Sequence, residues 1–265
     1  MNTSAPLQSA VAKTDTTRSD TFYCGPNQEE VLARLHYCVE RSQPLGLLVG
    51  PDGSGKSRLL NVLGQQLRTS GHRVVLLNLL ASDQRALLMG LATGLQCRVR
   101  PNDTIDRLWQ VVSDYCAANR YLRQPTVFLF DDVDQTPDSV TRAIVRLLRG
   151  CRADEAHTTT IVSAHADRVS QLDARLLDLA SLRIELEAWD VADVERYVAN
   201  VISQTTETAA TFTPDAITRL QTIAAGQARR ICQLVALAFA AAAASATPVV
   251  DATTIDAVAE ELATP

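Results

Sequence analysis

Apolar residues along this chain follow two rhythms, and the place where one gives way to the other divides it. In the first two thirds, short uninterrupted apolar runs alternate with stretches where apolar residues recur every three or four positions. The runs are PLGLLVG (44–50), RVVLLNLL (73–80), TVFLFDD (126–132), TTTIVSA (158–164) and SLRIEL (181–186). Runs without polar alternation predict strands buried on both faces, as in a parallel sheet. The helical period shows in Val31, Leu32, Leu35 and Val39 before the first run, and in Leu59, Leu60, Leu63 and Leu67 after it. Asn27 is the expected cap of the first helix, with Glu29 and Glu30 in a first turn where the dipole favours acids. Further helices are expected near 83–95, 104–123 and 137–150. From Trp189 the strand pattern stops, and helices near 190–203, 214–225, 228–246 and 251–262 follow. The predicted organisation is a disordered tail (1–20), an α/β core (21–188) and an all-helical domain (189–265), with no internal repeat.

Composition alters this picture at three points. A chain of 265 residues with a net charge of -5 gives no general electrostatic case for nucleic acid, although a local basic face can hide in that average. Six cysteines (Cys24, Cys38, Cys97, Cys116, Cys151, Cys232) lack any C-x-x-C spacing, so they read as small buried hydrophobes in a reducing compartment. The polar N-terminus has no signal-peptide core, and LVALAFAAAAASA (234–246) is too short to span a bilayer. The expectation is a cytoplasmic protein with no membrane span.

Lysine occurs only at Lys13 and Lys56, which draws attention to the second. GPDGSGKS matches G-x-x-x-x-G-K-[ST] at Gly50, Gly55, Lys56 and Ser57, between a predicted strand and a predicted helix. Gly50, Pro51, Asp52, Gly53, Ser54, Gly55 and Arg58 would form the nucleotide-binding loop, whose glycines let the available backbone N–H groups (Pro51 has none) curl around phosphate oxygens at a helix N-terminus. Lys56 would reach the β- and γ-phosphates, and the Ser57 hydroxyl would ligate Mg²⁺. In VFLFDDVD, Asp131 falls at the carboxyl end of an apolar strand, where a second Mg²⁺-binding carboxylate is needed. Asp132 follows and is placed to polarise an attacking water. No N-K-x-D sequence occurs, which argues for ATP over GTP.

A phosphate loop followed by a small helical domain is the layout of AAA+ ATPases. Two stretches carry a narrower resemblance. TFYCGPNQEEVLARLHYCVERSQPLGLLVGPDGSGKS resembles the start of the ExeA/GspA-type general secretion ATPases, and FTPDAITRLQTIAAGQARRICQLVALAFA resembles their lid. The TniB/TnsC-type transposition ATPases are similar in much of it. The resemblance implies a parallel five-stranded core with a helical lid, and it spans about residues 21–262. It implies that Phe22 and Tyr23 lie beside the adenine, and that Arg229 in GQARR reaches the γ-phosphate, with Arg230 as alternative. It makes Arg183 in SLRIEL a finger reaching a neighbouring subunit, with Arg175 as rival. His165 in AHAD takes the place of the residue that orients water, with Ser163 in reserve. Two departures from the family are Asp132 in place of the usual Glu, which shortens the reach and implies either slow hydrolysis or ATP bound mainly as a switch, and the missing proline of x-P-R, which loosens the Arg229 assignment. The longer secretion relatives add a membrane span and a cell-wall-binding region, and neither pattern occurs in this sequence.

The leading expectation is a homo-oligomeric switch or motor ATPase acting on an unidentified partner protein, with a role in secretion as one possibility. The second is a DNA-associated ATPase, for which Arg142, Arg146, Arg149 and Arg152 at helical spacing form the candidate surface. A small-molecule kinase ranks third, because the helical domain follows the sheet and is not inserted into it.

Overall fold

The computed structural model describes residues 23–151, 157–204, 210–244 and 248–263. Phe22 and Arg152 lie outside them. Helix α1 (Pro26–Glu40) leads into β1 (Leu45–Gly50), the phosphate loop and α2 (Lys56–Thr69). Then come β2 (Arg73–Asn78), α3 (Gln84–Gly94), α4 (Ile105–Leu122), β3 (Thr126–Asp131), α5 (Asp138–Gly150), β4 (Thr158–His165), the single turn α6 (Ala174–Leu177) and β5 (Leu182–Glu185).

The five strands are parallel in the order β2-β3-β4-β1-β5. Strand alternation sorts their side chains to two faces. Leu45, Leu47, Val49, Phe128 and Phe130 pack with α3, α4 and α5 on one side. Leu48, Val127, Leu129, Ile161 and Ile184 pack with α1 and α2 on the other. The predicted helical stripes lie there: Leu35, Leu59, Leu60 and Leu63 are fully buried, each contributing about 1.5–3 kcal/mol. The outer strands β2 and β5 are only partly buried, so the expectation of burial on both faces holds for β1, β3 and β4 alone.

Register brings the chemistry to one edge. Gly50 lies opposite His165, and Asn78 opposite Asp131, so the ends of β1, β2, β3 and β4 converge. The chain leaves β1 for β2, returns through β3 and β4 to β1, and passes beyond it to β5. Ligands of open parallel sheets bind at the carboxyl ends where such an order reverses.

The lid comprises α7 (Val191–Gln204), α8 (Pro214–Ala224), α9 (Ala228–Ala244) and α10 (Ala252–Ala263), with its own core around Trp189, Leu220, Ile231 and Val235. It is not wholly helical: β6 (Thr211–Phe212) pairs in parallel with β7 (Val249–Val250) and ties the entry of α8 to that of α10. Two further expectations need correction. Gly25, not Asn27, caps α1, because Pro26 suits the first helical position and the Gln28 carboxamide accepts the Gly25 N–H at 3.1 Å. Cys116 on α4 and Cys151 at the end of α5 form a disulfide with Cα atoms 5.5 Å apart, inside the larger core cluster. A crosslink between residues 35 apart in sequence contributes about 3–4 kcal/mol.

Candidate functional site

The site starts from Gly50, where β1 ends. A Cβ there would lie 2.5 Å from the Leu186 carbonyl oxygen, so only glycine lets the loop leave the strand beside the chain entering the lid. Gly53 and Gly55 take left-handed φ of 72° and 105°, and Gly55 caps α2. The Ser54 hydroxyl closes the loop by donating to the Pro51 carbonyl at 2.8 Å. Lys56 is buried, and its ammonium donates to the Gly50 and Pro51 carbonyls, both at 2.9 Å. Burial pulls that ammonium below its ordinary pKa, opposed by Asp52 first and then by Asp132, Asp134 and Asp131. Ser57 follows in the first turn of α2 and is half-buried, whereas Arg58 points to the exposed side.

Across the cleft, Asp131 is buried at the tip of β3 and accepts the Ser163 hydroxyl of β4. The same Ser163 oxygen accepts the Asp132 N–H at 3.0 Å, so one buried hydroxyl fixes both acids. Asp132 adopts a left-handed backbone (φ 58°) and accepts from the Asn78 carboxamide at 3.2 Å. Burial raises its pKa, with Asp131 adding to the rise and the Asn78 hydrogen bond opposing it. Ser163 therefore holds the two acids in place.

His165 closes β4 and faces the phosphate loop. Its Nδ1 accepts the Asp167 N–H at 3.2 Å, which leaves the proton on Nε2, 3.8 Å from the Asp52 carboxylate. Three residues on, in the short turn Ala166–Gln171, Arg168 pairs with Asp134 at 3.1 Å and approaches Asp52 at 3.8 Å. Arg168, Asp134 and Asn78 belong to no motif, and sequence reading missed all three. The alternation of acids in DDVD was the only available hint.

The lid meets the loop through main chain. The N–H of Arg229, in the first turn of α9, donates to the Gly53 carbonyl at 3.0 Å. Arg229 and Arg230 are both exposed at this helix end. Tyr23 packs edge-on against Trp189 (5.7 Å) and Tyr197 (5.3 Å), joining the start of the described chain to the lid's apolar cluster. Burial raises its pKa. Arg183 is not brought into this cleft. It lies on the edge strand β5, 52% exposed, paired with Glu185 at 2.7 Å. Arg175 is exposed on α6. No group of three or more His, Cys, Asp and Glu positioned for a metal ion occurs among the described residues. A hydroxyl and a carboxylate, Ser57 and Asp131, suit a hard ion that brings phosphate oxygens and water as its other ligands.

A glycine-cradled lysine at the reversal of a parallel sheet, facing two strand-end acids beneath a helical lid, defines a phosphate-loop ATPase fold of the AAA+ type. Residues 39–172 match the AAA domain, and the chain belongs to that family. It is similar to general secretion pathway protein A of Aeromonas hydrophila, 25% identical over 215 residues, spanning 79% of this chain and about 39% of that one. In fold it is similar to Cdc6p of Pyrobaculum aerophilum (TM-score 0.70, 16% identity, 86% of this chain and 65% of that one). It is also similar to the Aeropyrum pernix ORC1 protein solved in complex with DNA (0.67, 16%, 90% and 66%). The Thermotoga maritima RuvB Holliday junction branch migration motor is a further match (0.58, 16%, 90% and 70%). Among the described residues no helix is long and apolar enough to cross a membrane.

Proposed function

We propose that this protein binds Mg-ATP between its α/β core and its lid, hydrolyses it slowly, and passes the lid's movement to a partner protein. The observation that carries the reading is the 3.0 Å bond from the Arg229 N–H to the Gly53 carbonyl, which couples the lid directly to the loop that would hold the phosphates. Lys56 and the loop amides grip the triphosphate, while Ser57 and Asp131 hold Mg²⁺. Asp132 orients the attacking water with help from His165. Its carboxylate is one bond shorter than a glutamate's and is held by Asn78 at 3.2 Å, which supports slow turnover. Tyr23 contributes apolar surface to the adenine side, and Arg229 or Arg230 senses the γ-phosphate from the lid. Arg183 or Arg175, exposed and outside its own cleft, suits a group supplied to the next copy in a homo-oligomer. A role in secretion is the first process to test, on the strength of the curated relative's name.

ATP turnover of the purified protein, with Lys56→Ala and Asp132→Asn beside it, tests the reading across protein concentrations. Specific activity is expected to rise with concentration and to vanish in both variants. Turnover that survives Lys56→Ala overturns it.

A second reading, a DNA-associated ATPase, has one observation in its favour. Arg142, Arg146 and Arg149 line the exposed face of α5, and none pairs with an acid among the described residues. Arg146 lies 4.2 Å over the Trp109 ring. Duplex binding that weakens with salt and is lost on changing these arginines to alanine would favour it.

A further inference from the structure

The third residue of the phosphate loop poses an electrostatic problem. The Asp52 carboxylate, on the loop that carries Lys56, acts on that ammonium more than any other acid does, and it lies 3.8 Å from both Arg168 and His165. An anion docking there meets a negative charge already in place. Each added phosphate makes the encounter worse, because like charges repel more strongly as water leaves.

Arg168 meets this acid from the opposite wall. Its guanidinium has two engagements of unequal kind. With Asp134 it forms a 3.1 Å pair in which the carboxylate is only 2% exposed, and the other oxygen of that carboxylate, Oδ1, has no hydrogen-bond partner. With Asp52 it forms a looser 3.8 Å approach to a group 66% exposed. His165 faces the same Asp52 oxygen, also at 3.8 Å. The tight end anchors Arg168 in the wall. The loose end leaves charge to share with whatever enters beside Lys56.

We propose that Arg168 is a specificity-setting positioning residue. Anchored by Asp134, it offsets the Asp52 charge beside the terminal phosphate and so lets the site favour ATP over ADP. The inference rests on the nucleotide-binding reading above. ADP places less charge near Asp52, so removing Arg168 harms ATP the more. Neutralising Asp52 removes the need for the offset.

The test is calorimetric binding of Mg-ATP and Mg-ADP to the wild type, Arg168→Ala, Arg168→Lys, Asp52→Asn and the Arg168→Ala/Asp52→Asn double variant. Arg168→Ala is expected to weaken ATP about tenfold more than ADP, Arg168→Lys to recover part of the loss, and the double variant to recover most of it. Melting of the nucleotide-free protein reports the other end. Arg168→Ala lowers Tm by leaving Asp134 buried and unpaired, and Asp52→Asn does not restore it. Equal weakening of ATP and ADP, or a double variant as poor as Arg168→Ala, overturns the proposal. Should Arg168→Ala not fold, Asp52→Asn alone decides: the ratio of ATP to ADP affinity must rise, and an unchanged ratio overturns the proposal. A wild type that binds neither nucleotide overturns the reading beneath it instead.

Discussion

Asp131 and Asp132 stand at the tip of a strand buried along its whole length, and Ser163 and Asn78 tie them into strands on either side. Arg229, Arg230 and Arg183 extend from surfaces, the first two at a helix end and the third at a sheet edge with Glu185 as company. The acids are thus set when the core folds. The cations are exposed, and on the proposed function they are the groups that a nucleotide or a second copy of the chain would engage. Permanent groups belong where geometry must not vary. Mobile ones belong where a signal must be read.

The largest expected effect tests the fixed side. Lys56→Ala should reduce Mg-ATP affinity and turnover by at least about 100-fold, measured by calorimetry and phosphate release. Next comes Ser163→Ala, which leaves the part-buried Asp132 N–H without its partner. It should cost about 1–3 kcal/mol in denaturant unfolding and a comparable factor in turnover. An unchanged midpoint and rate would mean the acids are not held by that hydroxyl.

The comparison sharpens at the arginines. Arg183→Ala should leave unfolding nearly untouched, since the Glu185 pair is half exposed and worth little. It should nonetheless flatten the rise of specific activity with concentration. A variant that keeps the rise removes Arg183 from the site of a neighbour.

The smallest effect lies in pH. Asp132 must be ionised to take part, and its pKa is raised, so the acid limb of turnover should fall above the ordinary aspartate value of 3.8. Asn78→Ala removes a hydrogen bond that favours the ionised form and should move that limb further toward neutral pH.

Much of the frame was legible because two-sided burial leaves an unmistakable run of apolar residues. LGLLVG and TVFLFD have nowhere to go but the middle of a sheet. The phosphate loop was legible for a different reason, since its glycine spacing is demanded by backbone conformation. What escaped was set by tertiary approach. Arg168 looks like any surface arginine until the turn after β4 folds beneath Asp52. Cys116 and Cys151 carry no spacing signal because they meet across two helices. The pairing of β6 with β7 is two residues long at each side, too short for any period to register.

The lid's attachment has a mechanical corollary. The Trp189 N–H donates to the Gly226 carbonyl, and three residues later the Arg229 N–H donates to Gly53. The point where the chain crosses into the lid and the point where the lid rests on the loop are therefore pinned within one turn of each other. A pivot so close to its load is a short lever. On the proposed function, a small displacement of the loop would be magnified along α9, whose far end lies a full helix length from its pinned start.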